Sequence, residues 1–169
     1  MIKVISLLVF LCFYTTTYAQ GLIGKYCDHF GTCLELNKDS TFTFEWKFDL
    51  IQNWAMGKWK LSGKTLHFSF IDVYDTLRRG NSTDSVFLSA DKLPNSICES
   101  DFPQQLLSSR VQDKDRFSNR LYHLGKKLYL LNEKDRLERR RQKQIWSQKR
   151  WPWGYKKWPT YFRKVGETT

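Results

Sequence analysis

Residues 41–48 read TFTFEWKF, and the alternation within them decides the fold. Phe42, Phe44, Trp46 and Phe48 fall on one side, with Thr41, Thr43, Glu45 and Lys47 on the other. A period of two in aromatic and β-branched residues marks a half-buried strand, because successive side chains of an extended chain point to opposite faces. The pattern continues in both directions. Upstream, Leu34-Glu35-Leu36 alternates likewise, and the intervening Asn37-Lys38-Asp39-Ser40 is turn chemistry, so the two runs predict a hairpin. Downstream, Trp59 and Leu61, then Leu66, Phe68 and Phe70, repeat it around Ser62-Gly63-Lys64. Further strands are expected at Ser85–Ser89, Arg120–Leu124 and Lys127–Leu131.

Two stretches interrupt the alternation. Asp49–Met56, DLIQNWAM, reads as a connection with about one helical turn. Asp91–Phe117, which contains Pro94 and Pro103, reads as a long polar loop or a short helix around Gln104–Val111; connections of this length often carry function. An internal echo runs through the rest: GKYCDHFGTCLEL from Gly24, GKWKLSGKTLHF from Gly57 and a truncated GKKLYLL from Gly125. Each reads as strand, tight turn and returning strand, with glycine supplying a positive φ.

The series GKY at Gly24, LELNKDSTF at Leu34, GKW at Gly57 and GKTL at Gly63 resembles small secreted, lipocalin-like β proteins of Gram-negative envelopes. It spans Gly24 to Phe70, and its motifs are turn glycines and core aromatics; the later Thr-Asp-Tyr strand of lipocalins has no counterpart here. The resemblance implies an antiparallel meander curled into a barrel or half-barrel, whose interior in such proteins sometimes holds an apolar ligand. Phe42, Phe44, Trp46, Trp59, Leu66 and Phe68 are the candidate lining. No catalytic residue follows from it.

The first 20 residues, MIKVISLLVFLCFYTTTYAQ, carry one positive charge at Lys3, an apolar run from Val4 to Tyr14, and Thr17 and Ala19 before a cut at Gln20. This is the pattern of a secretory signal peptide over 1–19, and the run is too short to cross a bilayer as a helix. Leu11 before Cys12 is too bulky for a lipoprotein cleavage site. About 150 residues then remain, one domain's worth, able to bury about 70% of the unfolded surface. The expected organisation is a β-barrel-like domain over 20–135 and a basic, aromatic segment over 136–169 that partly completes the sheet. The expected location is secreted, or the periplasm or outer envelope.

Cys27, Cys33 and Cys98 remain after that cut. In an oxidising compartment Cys27 and Cys33, flanking a five-residue connection at a predicted turn, suit a disulfide. With His29 they also form C-x-H-x₃-C, a soft-metal donor set, and free thiols are the third possibility. No metal and no cofactor are expected.

Enzymatic signatures are absent from the sequence. His67 and His123 are isolated, there is no HExxH motif, no Gly-x-Ser-x-Gly elbow and no phosphate-cradling glycine loop. The carboxylate pairs Asp72/Asp75 and Asp113/Asp115 read as solvated. Asp39-Ser40-Thr41, Asp75-Thr76-Leu77, Asp84-Ser85-Val86 and Asn81-Ser82-Thr83 match short glycosylation patterns, which also arise by chance.

Charge is segregated. From Gln20 to Gly125 the chain has 13 Lys and Arg and 13 Asp and Glu; from Lys126 to Thr169 it has 14 and 4, a net +10. The stretch Arg136–Arg150 has few apolar anchors, and Pro152, Gly154 and Pro159 argue against a central strand, leaving Thr160–Val165 as the closing strand. One reading has the tryptophans cover an open end of the barrel while these cations guard an exposed sheet edge. The other makes Arg139, Arg140, Arg141, Lys149, Arg150, Trp151, Trp153, Lys156, Lys157 and Trp158 a surface for an anionic envelope lipid or glycan. Nucleic acid would meet the same composition but is a rare partner outside cells. Two functions are therefore expected: a structural or accessory barrel, or a binding module for an apolar ligand inside or an anionic glycolipid outside.

Overall fold

A computed structural model describes residues 21–80, 82–108, 110–132, 134–143, 147–150 and 154–166. The expected leader, Asn81, Trp146, Trp151 and Trp153 lie outside these, as do the side chains of Phe48 and Arg150. The elements are β1 (Gly24–Cys27), β2 (Cys33–Leu36), β3 (Thr41–Phe48), β4 (Ile51–Ser62), β5 (Thr65–Phe70), β6 (Tyr74–Arg78), β7 (Ser85–Leu88), β8 (Ser96–Cys98), α1 (Phe102–Leu106), β9 (Arg110–Gln112), β10 (Arg120–Leu124), β11 (Lys127–Leu130), β12 (Lys149–Arg150), β13 (Gly154–Tyr155) and β14 (Tyr161–Lys164).

Eight of these strands close an antiparallel β-barrel. Their order is β3-β2-β1-β14-β11-β10-β5-β4, and β4 pairs back onto β3 along its first half, from Ile51 against Phe48 to Lys58 against Thr41. The predicted hairpin of β2 and β3 is present, with Leu36 opposite Phe42 and Leu34 opposite Phe44. The path is not a plain meander. Between β5 and β10 the chain leaves the barrel to form a second sheet, β7-β6-β8, and between β11 and β14 it makes the basic segment before returning to lie between β11 and β1. The last strand therefore belongs to the barrel.

The stretch 49–56 is a strand, not a connection with a helical turn. Only Asp49 and Leu50 turn, and Asp49 sits at a φ of 53°. The alternation is hidden because both faces of β4 are covered here: Asn53, Trp54 and Ala55 are all buried. The Trp54 indole points outward and donates to the Ala90 carbonyl at 2.9 Å, so the segment after β7 lies over it. β9 runs parallel to β4 beyond the end of β5, pairing Gln52 with Arg110. The long polar region is thus largely structured, holding β8, α1 and β9.

The solvated reading of Asp75 is also corrected. It is fully buried, accepting from the Asn95 backbone N–H at 2.8 Å and from Gln105 Nε2 at 3.4 Å, and so ties β6 to the loop before β8 and to α1. A buried carboxylate persists when its lone pairs are engaged in this way.

Cys27 and Cys33 are directly opposed across β1 and β2 and form a disulfide with Cα atoms 4.2 Å apart; Cys98 is exposed and free. The loop they close is short, so the chain-entropy contribution is about 2 kcal/mol. Cys27→Ser with Cys33→Ser should lower unfolding free energy by about that amount. Urea titration of the variant checks it, and an unchanged midpoint would show that the bridge constrains nothing.

Inside the barrel, Leu34, Leu36, Phe42, Phe44, Trp59, Leu66, Phe68, Leu121, Leu128 and Phe162 form the core. Phe117, delivered by the loop between β9 and β10, enters from one end. Its ring centroid lies 4.5 Å from that of Phe44, 4.9 Å from Phe68 and 5.9 Å from Phe42.

Candidate anion-binding surface

The six residues expected to line a ligand cavity do face the barrel interior. Phe42, Phe44, Trp59, Leu66 and Phe68 are buried in the core, and Trp46 packs against it at the rim with the Arg116 guanidinium 4.2 Å above its ring. Phe117 packs among Phe42, Phe44 and Phe68, so a side chain occupies that part of the interior. Sequence reading placed Phe117 at the end of a polar loop, where a single aromatic has no periodic partner to reveal it. Asp113 seats the loop by accepting from Asn53 Nδ2 at 2.8 Å and Arg116 Nε at 2.9 Å.

A cleft of about 460 Å³ separates β3 and β4 from the segment after β7. Its charges are already matched, Lys92 with Glu45 and Arg110 with Asp91. The hydrogen bond from Lys92 holds the Glu45 carboxyl below its ordinary pKa, against the opposing effect of burial. These pairs fasten the second sheet to the barrel and leave little for a ligand.

The C-terminal segment differs in the density of its cations. Before it, Lys47, Lys92, Arg110, Lys114, Arg116 and Arg120 find carboxylates, whereas Lys25, Lys38, Lys58, Lys60, Lys64, Arg78 and Arg79 are exposed and form no ion pair among the described residues. Arg136, Arg139, Arg140, Arg141 and Lys157 find none among the described residues and are exposed. One of the segment's few acids, Asp135, is turned to Arg120 of β10 at 2.8 Å, so it is spent on the barrel. No family model, curated protein or solved structure matches this chain. Function has to be argued from the surface itself.

Backbone hydrogen bonds hold that surface in place. Leu131 bridges to Leu137, Gln142 to Trp158, and the Glu138 N–H donates to the Leu130 carbonyl at 2.9 Å. The Thr160 hydroxyl donates to the Glu138 carbonyl at 2.7 Å just ahead of β14. Lys149 and Arg150 pair with Tyr155 and Gly154 in a small hairpin. Lys156 and Lys157 follow, both exposed.

Trp158 does not project as a surface anchor. It is half-buried, with its ring stacked on His29 at 4.0 Å, edge-on to Phe30 at 5.4 Å, and covered by the Lys156 ammonium at 3.8 Å. It docks the segment onto the turn between β1 and β2. Tyr155 is the described aromatic that stays open, 45% exposed beneath the Lys143 ammonium. Burial first, then Lys164 and Lys64, hold the His123 imidazole below its ordinary pKa despite a hydrogen bond with the Gly125 backbone. Lys134 and Arg136 were not singled out by sequence reading. Asn132, which starts a turn directly after a strand, was the signal available.

Proposed function

We propose that this protein is a secreted or envelope-associated binding module. In this reading the barrel is a scaffold, and the described parts of 134–164 present cations to an anionic glycan or glycolipid. One observation carries it: Arg136, Arg139, Arg140, Arg141 and Lys157 cluster exposed, with no carboxylate partner among the described residues, on a backbone pinned to the barrel. Among the described residues no helix is long and apolar enough to cross a membrane. Lipocalin-like kinship and the leader at 1–19 belong to the same proposal.

The test is retention on phosphatidylglycerol vesicles and on a sulfated polysaccharide at rising salt, with phosphatidylcholine vesicles as control. The protein is compared with a variant carrying Arg139→Ser, Arg140→Ser, Arg141→Ser, Lys156→Ser and Lys157→Ser. Each basic side chain near an anionic surface contributes about 1 kcal/mol, so the variant should release at much lower salt. Equal retention of the two proteins would remove the reading and leave a structural or accessory barrel, which the filled interior favours.

A further inference from the structure

At the seam where β14 joins β1, the barrel wall carries a recess of about 300 Å³, bordered by Asp28 and His29 on the turn after β1 and by Pro159, Tyr161 and Arg163 on the returning chain. We propose that this recess seats one uronic acid residue of an acidic polysaccharide, its carboxylate on Arg163, its hydroxyls on Asp28 and its ring against Tyr161. The inference rests on the anionic-surface reading and narrows it from charge in general to one sugar class at one place.

The seam is fixed by register. Cys27 lies opposite Arg163, and Arg163 opposite Lys127, so all three side chains share the outer wall while Tyr26, Phe162 and Leu128 are buried within. Two cations directly opposed on neighbouring strands repel, and an anion set between them relieves the cost. Lys127 leans over the Tyr161 ring, its ammonium 4.3 Å from the centroid, which brings its charge to the edge of the recess. Lys164 also borders the recess, but its ammonium donates to the Gly21 carbonyl at 2.9 Å.

Asp28 decides the class of anion. Its Oδ1 accepts the backbone N–H groups of Phe30 at 2.8 Å and Thr32 at 2.9 Å, which fixes the carboxylate and leaves Oδ2 with no hydrogen bond among the described residues. A sulfate, with acceptors on every side, would be repelled there. A sugar acid turns its carboxylate to the arginine fork and donates its hydroxyls to Asp28 Oδ2. The His29 ring is held by stacking on Trp158 at 4.0 Å, and with Tyr161 and Pro159 it gives apolar surface for the C–H face of the sugar. The volume, at the lower end of small-molecule sites, takes one sugar ring. Beyond the recess, the Tyr129 ring lies 5.4 Å from that of Tyr161, and Tyr122 is opposite Tyr129, all three half-buried. A row of phenol rings thus continues across β14, β11 and β10 for the neighbouring sugars of a chain.

The experiment titrates trigalacturonic acid and, separately, its fully methyl-esterified form into the isotope-labelled full chain and follows backbone amide shifts. Three variants are compared: Arg163→Gln and Asp28→Asn in the recess, and Lys60→Gln on β4, across the barrel from β14. Arg163 and Lys60 are exposed, and the amide oxygen in Asp28→Asn can still accept both N–H groups, so all three should keep the thermal midpoint of the parent. The acid trimer should shift amides of residues 27–30, 127–129 and 160–164. Arg163→Gln should lose about tenfold or more in affinity, the worth of one charge-assisted hydrogen bond, and Lys60→Gln less than about twofold. Asp28→Asn should lose about threefold or more although it makes the protein more positive, whereas on a diffuse basic surface the same change would tighten binding. No saturable binding by the parent, equal losses from Arg163→Gln and Lys60→Gln, unchanged or tighter binding by Asp28→Asn, or equal affinity for the ester would overturn the assignment. The trimer should also bind more tightly than monomeric galacturonate, and equal affinity would contradict a polysaccharide as the occupant. Vesicle retention by the parent under any of those results would leave the wider surface reading standing, since the five cations substituted in its test lie outside the recess.

Discussion

Phe117→Ala is expected to lower the unfolding free energy by about 3–5 kcal/mol, the cost of removing a large aromatic side chain from a packed core. The size follows from position. Phe117 is 5% exposed and its ring meets rings from three sides: Phe42 and Phe44 on β3, Phe68 and Phe70 on β5, and Phe162 on β14. It is the residue through which the loop before β10 closes one end of the barrel. Truncation removes these contacts and leaves a void that the surrounding sheet cannot collapse to fill. Urea unfolding measures the loss. The companion Val111→Ala, at a side chain 51% exposed, should stay within about 0.5 kcal/mol. A Phe117→Ala loss as small as that of Val111→Ala would mean that the interior is not filled as described.

Gly57→Ala should be nearly as damaging, at about 3 kcal/mol or more through overpacking. Gly57 lies in the middle of β4, opposite Phe42 on β3 and Phe70 on β5, where the long strand passes from one partner to the other. A Cβ built there would sit 2.0 Å from the Ser69 carbonyl oxygen and 3.0 Å from the Phe70 Cα. Both are backbone atoms, so relief requires the strands to separate. Gly63 makes the contrast: its φ is 58° in the turn between β4 and β5, and a Cβ there meets nothing within 4 Å. Gly63→Ala should cost only the left-handed backbone penalty, about 1–2 kcal/mol. Thermal and urea unfolding of the two variants would rank them, and a Gly57→Ala protein as stable as Gly63→Ala would contradict the close approach of β4 and β5.

The glycines that begin the echoed units play different parts in the structure. Gly125 turns the chain between β10 and β11 at a φ of 61°, whereas Gly57 is needed for its missing side chain. Such differences are invisible in sequence because they depend on which strand passes nearby. Strands β2, β3, β5, β10 and β11 were legible because each has one wet face, so alternation survives. The first half of β4 was not, since a second layer covers its outer side at Trp54 and erases the polar positions. β6 was missed for a related reason: Asp75 and Leu77 are both buried, so its inward face mixes a carboxylate with an aliphatic. The charge asymmetry located the candidate surface. What it could not convey was which cations are already matched, because that depends on Arg120 reaching Asp135 across the fold.

Hydrogen–deuterium exchange of the protein with and without phosphatidylglycerol vesicles tests most directly whether the proposed binding occurs on the outside of the barrel. Slowed exchange confined to the described parts of 134–158, with β3, β4 and β5 unchanged, is the predicted result. Protection appearing in β3 to β5 while 134–158 exchanges as before would contradict it.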